Sequence, residues 1–240
     1  MIILDIEGTI APMTFVSDIL FPYARTHIEE YFASNWDNAA TQAAIQGLIA
    51  LSEQDRASGA LPDAVPLESQ DKYASVEEFK AAVIRNVDWL MALDRKVTPL
   101  KALQGLIWEN GFTSGEIKGQ IYEDAKNAME RWVKQGKRLY IYSSGSVAAQ
   151  KLVFKYSQHG DMSSLISGYF DTNIGGKREA ASYSRILEAV HSQANKTLFL
   201  TDIVQEHDAA VAAGMDCIVV DRGQDPKPNT ISTFDVLRAD

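Results

Sequence analysis

The chain opens with four apolar residues, Met1–Leu4, and turns polar at once in Asp5-Ile6-Glu7-Gly8-Thr9. So short an apolar run, bounded by turn chemistry, reads as a strand buried on both faces of a parallel sheet. Two carboxylates one residue apart, followed by Gly, then stand at the strand's carboxyl end, where open α/β sheets build their sites. A nucleophile and an acid/base delivered together to such an edge is a layout for phosphoryl transfer. Alone, the pentapeptide reads equally well as a strand ending in a polar turn. The rest of the chain decides between the two.

Strand-type runs return only in the second half, at Arg138–Tyr142, Gly168–Phe170, Thr197–Leu200 and Cys217–Val220. Between them lie amphipathic stretches of helical length: Ile121–Gln135, Val147–Tyr156, Ala180–His191 and Gln205–Gly214. Strand alternating with helix predicts a doubly wound α/β core with a parallel sheet. The first strand, however, is separated from the second by well over a hundred residues with helical spacing, in Phe21–Phe32, Thr41–Leu51, Val76–Leu93 and Leu100–Trp108. A parallel crossover needs only one helix. The excess predicts an inserted helical cap domain over residues 19–118, with a break at Leu61–Pro66, and a phosphatase-type core over 1–18 and 119–240. Because the insertion starts just after the acid pair, it is expected to serve as a lid.

Composition narrows the function. The 240 residues are 46% hydrophobic, enough for a sizeable core. The balance of 32 acidic against 23 basic residues gives a formal charge of −9, with no basic patch to offset it. Nucleic acid and anionic membranes are therefore not expected as partners. An acidic protein acting on an anionic substrate needs a local cation, so the charge points to a metal. The single Cys217 lies in an apolar run and forms neither a disulfide nor a thiolate metal site. Apolar runs fall far short of the ~20 residues of a membrane span, and no signal segment is visible. A cytoplasmic protein is expected, or a nuclear one as well in a eukaryote, working as a monomer on a small phosphorylated molecule.

Three further motifs stand at strand ends. Ser143-Ser144-Gly145-Ser146 follows the second strand and precedes a helix, so its hydroxyls and N–H groups can hold phosphate oxygens or simply cap the helix. Lys177 follows Gly175-Gly176, which give the backbone freedom to carry an ammonium between an aspartate and a phosphate. Arg178 offers a second cation but suits that gap less well and is expected to point outward. Thr201-Asp202 ends the fourth strand. Asp202 beside Asp5 makes an oxygen-rich site suited to Mg2+. Glu206 reads as a neighbour of that site or as an ordinary helix-face acid, and Asp208 as solvated.

The order acid pair, Ser, Lys, acid resembles the haloacid dehalogenase superfamily of aspartyl-phosphate phosphatases. Asp5-Ile-Glu-Gly-Thr9, Phe15–Tyr23, Leu103–Trp108, Ile141–Ser146 and Gly168–Thr172 are similar, more closely, to the enolase-phosphatase family of methionine salvage, also called acireductone synthases. The similarity runs from residue 2 to about 215. It includes Glu7 where most of the superfamily has Asp. Asp221-Arg-Gly-Gln-Asp-Pro226 departs from that family's usual ending, and Ile10 replaces a more typical Thr.

The resemblance implies a bifunctional enzyme that enolises and then dephosphorylates 2,3-diketo-5-methylthiopentyl-1-phosphate to the acireductone. Asp5 is then the nucleophile and Glu7 the acid/base, with a carboxyl pKa raised by burial under the lid. Ser143 or Ser144 and Lys177 bind the phosphate. Mg2+ is held by Asp5, Asp202 and, as the resemblance implies, the backbone carbonyl of Glu7. The enolisation base stays open between Glu7 and cap residues such as Lys96. Phe15, Trp108 and the aromatics near Phe21 are unranked candidates for the methylthio end. The alternative is a phosphatase of the same superfamily acting on another small ester without enolisation. A non-catalytic binding module would be expected to lack the nucleophile or the second acid, and both are present.

Overall fold

The computed structural model describes residues 1–59, 61, 63–223 and 230–237. Pro62 of the Leu61–Pro66 break and Gln224–Pro226 of the divergent ending lie outside the described residues. The chain divides into two compact units, one of residues 1–16 and 115–240 and one of residues 17–114.

The first unit is built on a five-stranded sheet, with β1 (Ile2–Leu4), β2 (Leu139–Tyr142), β3 (Gly168–Phe170), β4 (Leu198–Thr201) and β5 (Asp216–Val219) in the order β3-β2-β1-β4-β5. Every pairing is parallel, with Leu4 opposite Ile141 on one side and Leu200 on the other. The first strand is therefore central. All five carboxyl ends share one edge, which brings together loops far apart in sequence.

The helices of this unit are α5 (Glu123–Lys134), α6 (Val147–Lys155), α7 (Ala180–Ala189) and α8 (Val204–Ala212). Ile3, Tyr140, Tyr142 and Phe199 point to one face and pack with Tyr183, Ile186 and Leu187 of α7 and Ala209 and Ala210 of α8. Residues of adjacent register alternate to the opposite face, where Tyr169 meets Phe154 of α6 with ring centroids 5.9 Å apart. Helices thus cover both faces, as near-continuous apolar strands demand. After β5 the chain returns through a bridge between Val220 and Ile231 and buries Phe234 against Trp132 of α5, with centroids 5.7 Å apart.

The second unit is helical: α1 (Phe21–Asn35), α2 (Ala39–Ser58), α3 (Val76–Ala92) and α4 (Thr98–Ser114). Asn38 caps α2 through Ala40 N–H, and Ser75 caps α3 through Glu78 N–H. Ile45, Leu48, Val83, Leu90 and Leu103 are fully buried. Trp108 is buried too, its indole N–H donating to the Leu20 carbonyl at 2.7 Å; Phe15, which belongs to the first unit, is also buried. Helix α2 outruns the apolar pattern that ends at Leu51. Its last turns are held by polar contacts instead: Ser52 Oγ accepts the Leu67 N–H at 2.8 Å, and Asp55 takes both arms of the Arg95 guanidinium.

Candidate active site at the carboxyl edge of the sheet

Asp5 leaves β1 buried, at 4% exposure, with its N–H on the Leu200 carbonyl at 2.9 Å. The chain then folds into a tight turn in which the N–H groups of Thr9, Ile10 and Ala11 all converge on the Ile6 carbonyl. Gly8 makes this turn possible. Its φ of +72° is strained for any side chain, and a Cβ would lie 2.7 Å from Asp202 Cγ and 2.8 Å from Met13 Sδ. Asp202, one residue past β4, therefore lies against the acid-pair loop. Glu7, next to Gly8 in sequence, is half-buried.

Lys177 enters from the loop after β3. Its Nζ lies 2.6 Å from Asp5 Oδ1 and 2.8 Å from Glu206 Oε2, with about nine-tenths of the side chain buried. Burial works to discharge the ammonium, but Asp5 and Glu206 hold its pKa above the ordinary lysine value. Two tyrosines hold this loop in place: Tyr183 OH donates to the Lys177 carbonyl at 2.6 Å and Tyr142 OH to the Gly175 carbonyl at 2.9 Å. The Tyr142 ring also lies 5.8 Å from Nζ, within cation–π range. Arg178 is exposed, as its geometry relative to Lys177 predicts.

The edge is short of positive charge. Three carboxylates, Asp5, Asp202 and Glu206, share one buried ammonium. Burial, then the nearby Asp5 charge, push the Asp202 carboxyl up to about 7. Burial and Asp5 likewise raise Glu206, although Lys177 and a 2.7 Å hydrogen bond from Thr201 Oγ1 pull it back.

On the other side of β1, the loop Ser143–Ser146 ends β2. Capping of α6 falls to Ser146, whose Oγ accepts the Ala149 N–H at 3.2 Å. Ser143 is buried and its Oγ accepts the Gly145 N–H at 3.4 Å; Ser144 is half-buried. Gln150, itself buried, donates to the carbonyls of Gly145 and Phe170 at 2.8 and 2.9 Å and ties this loop to β3.

Asp5, Lys177 and Asp202 thus meet at one edge, with the Ser143–Ser144 loop on the adjacent strand. Glu206 is a full member of the charge cluster, which its spacing four residues past Asp202 on a helix signalled only weakly. Sequence reasoning assigns no role to Tyr142, Tyr183 or Gln150, because nothing in their local spacing marks the loop carbonyls they reach. Asp208 is exposed. Lys96, in the helical unit, is exposed with Nζ 3.8 Å from Asp94, an ordinary surface arrangement.

Comparisons with known proteins place the chain in a family. A family model for haloacid dehalogenase-like hydrolases matches residues 1–214. An enolase-phosphatase E1 of Salmo salar is 45% identical over 223 residues, which are 92% of this chain and 84% of that protein. A Ricinus communis protein named as a probable bifunctional methylthioribulose-1-phosphate dehydratase/enolase-phosphatase E1 is 43% identical over 95% of this chain and 43% of its own longer length. The crystal structure of the UTR4 protein of Saccharomyces cerevisiae aligns with a TM-score of 0.73 at 33% identity, covering 98% of both chains. On the family model and these identities, the chain belongs to the haloacid dehalogenase-like hydrolases and, among these enzymes, to the enolase-phosphatase E1 family of phosphatases.

Proposed function

We propose that this enolase-phosphatase works through an aspartyl-phosphate on Asp5, depends on Mg2+, and acts on 2,3-diketo-5-methylthiopentyl-1-phosphate in methionine salvage. The observation that supports this most is the Lys177 ammonium seated on Asp5 within an over-negative strand edge.

The residues present suit a magnesium ion. Asp5, Asp202 and the Glu7 carbonyl offer only hard oxygen donors. Gly8 leaves beside Asp202 a space that a Cβ would fill, and the raised Asp202 carboxyl marks charge that a cation would relieve. Among the described residues no group of three or more His, Cys, Asp and Glu side chains forms a metal cage. Mg2+ keeps several waters and takes few protein ligands, so two carboxylates and a carbonyl are in keeping with it. When bound, the ion would neutralise charge on the phosphoryl oxygens and polarise the dicarbonyl.

The chain's own groups then divide the work. An Asp5 oxygen attacks phosphorus in line while the bond to the leaving oxygen breaks, and Glu7 protonates that oxygen. Lys177 and Ser143 or Ser144 hold the equatorial oxygens. Glu7 next takes a proton from water, which attacks the same phosphorus and returns Asp5 as a carboxylate with release of phosphate. The helical unit of residues 17–114 serves as the cap that selects the methylthio end. The enzyme acts as a cytoplasmic monomer without nucleic-acid or membrane partners, and its net charge of −9 supports the absence of nucleic-acid and anionic-membrane partners.

Phosphate release and enol absorbance, followed together with the diketone phosphate and with a generic phosphate ester, test the proposal. Enol formation with the diketone, phosphate release from it and loss of both in EDTA are expected. Release from the generic ester with no enol from the diketone would leave a simple phosphatase, and activity indifferent to EDTA would remove the metal.

A further inference from the structure

Arg222, in the Asp221-Arg222-Gly223 segment that follows β5, reaches back across the chain to the loop that carries Asp5 and Glu7. Its Nε and Nη2 donate to the Thr9 carbonyl at 3.1 and 2.8 Å. Its Nη1 donates to Asp124 Oδ2 at 2.6 Å and to the Ser232 carbonyl at 3.1 Å. The guanidinium carbon lies 4.5 Å from the centroid of the Tyr122 ring and 4.8 Å from that of Phe234. The side chain is thus held by ring contacts and spends its donors on three segments at once.

The other end of the link is firm. Asp124 Oδ2 also accepts the Phe234 N–H at 2.8 Å and the Thr233 hydroxyl at 3.1 Å. Burial disfavours its charge, but Phe234 N–H and Arg222 hold the carboxyl below the usual range. The turn itself is tightened from within by the Ile6 carbonyl and from outside by Tyr122 N–H on the Ile10 carbonyl at 2.9 Å. Thr9 lies two residues past Glu7 and four past Asp5. A fork gripping its carbonyl fixes the orientation of the peptide that closes the loop, a task that needs the planar, multi-donor geometry of Arg.

We propose that Arg222 is a positioning residue: by clamping the Thr9 carbonyl to Asp124 it holds the Asp5–Thr9 loop in the geometry for attack, without touching substrate. The catalytic part of this proposal rests on the phosphatase mechanism above.

Arg222→Met keeps an apolar stem between the two rings and removes every donor. It should lower kcat by about 10- to 100-fold, the order expected when a nucleophile is displaced by about an ångström, with KM changed much less. Arg222→Lys, with one ammonium in place of the fork, should fall between Met and the parent. Millimolar guanidinium should partly restore the smaller Arg222→Ala. A lowered melting temperature with kcat unchanged in Met and Lys alike would reduce Arg222 to a structural tie and overturn the proposal. Amide hydrogen exchange supplies a readout free of turnover. Exchange of the Thr9, Ile10 and Ala11 amides should quicken by about tenfold or more in Arg222→Met relative to β2 amides, and exchange as in the parent would overturn the clamp. Should the parent protein release no phosphate, the phosphatase mechanism fails with the catalytic part of this proposal, while the exchange result still decides the clamp.

Discussion

Each unit of this protein buries an ion cluster, and the two differ in how their charges balance. In the helical unit Asp55 meets Arg95 through two hydrogen bonds, one carboxylate to one guanidinium, and the pair closes on itself. At the sheet edge three carboxylates share the ammonium of Lys177, and burial together with the Asp5 charge pushes Asp202 up to about 7. A balanced pair needs nothing further and pins a helix end. An unbalanced one keeps an appetite for a cation, and with it for the phosphate a cation would escort. Perturbed carboxyls gather where chemistry is done, and the contrast separates site from scaffold within one chain.

The comparison breaks most visibly at the nucleophile. Asp5→Asn should abolish phosphate release by about four orders of magnitude or more while the protein stays folded, since shape is kept and one crowded negative charge is removed. Near-normal turnover in a coupled phosphate assay would take Asp5 out of its role. Lys177→Met comes next. It leaves buried carboxylates without their cation, which costs about 3–5 kcal/mol at neutral pH; adding Glu206→Gln should recover part of that loss in a denaturant titration. The corresponding cut in the helical unit, Asp55→Asn, should cost only about 1–3 kcal/mol and leave kcat per folded molecule untouched. A large fall in kcat there would erase the distinction drawn between the two clusters.

The pH response sharpens it further. The folded pKa of Asp202 is raised above its unfolded value of 3.8. The group therefore favours folding below the unfolded value, and that contribution is lost as pH rises through about 7. In EDTA, Asp202→Asn should stabilise the protein at pH 8 relative to pH 4.5 by about 1 kcal/mol once solvent screening of a half-exposed carboxyl is discounted, or roughly 2–4 °C in melting temperature. Equal gains at both pH values would show that Asp202 is not crowded by its neighbours. Arg178→Ala marks the lower limit, with effects within about 0.5 kcal/mol and unchanged turnover, because that side chain is exposed while Lys177 is not.

The sheet was legible in the sequence because its strands are buried on both faces and so read as unbroken apolar runs from Met1–Leu4 to Cys217–Val220. The residues gathered at this edge were legible for a related reason: Asp5, Ser143, Ser144 and Asp202 stand within two residues of the ends of such runs, and parallel pairing carries all strand ends to one edge. What was hidden depends on tertiary contact. Glu206 looks like any acid on a helix until Thr201 and Lys177 are placed against it. The last turns of α2 have no apolar period, only Ser52 and Asp55 with partners 15 and 40 residues away. Arg222 and Thr9 are 213 positions apart, beyond any local pattern.

Whether Asp5 carries the phosphoryl group is the question on which the mechanism turns, and borohydride trapping answers it. Protein mixed with the diketone phosphate and Mg2+, quenched and reduced, should show homoserine in place of Asp5 in the N-terminal peptide, because an acyl phosphate is reduced where a free carboxylate is not. An unmodified Asp5 during turnover, or reduction at a different carboxyl, would contradict it.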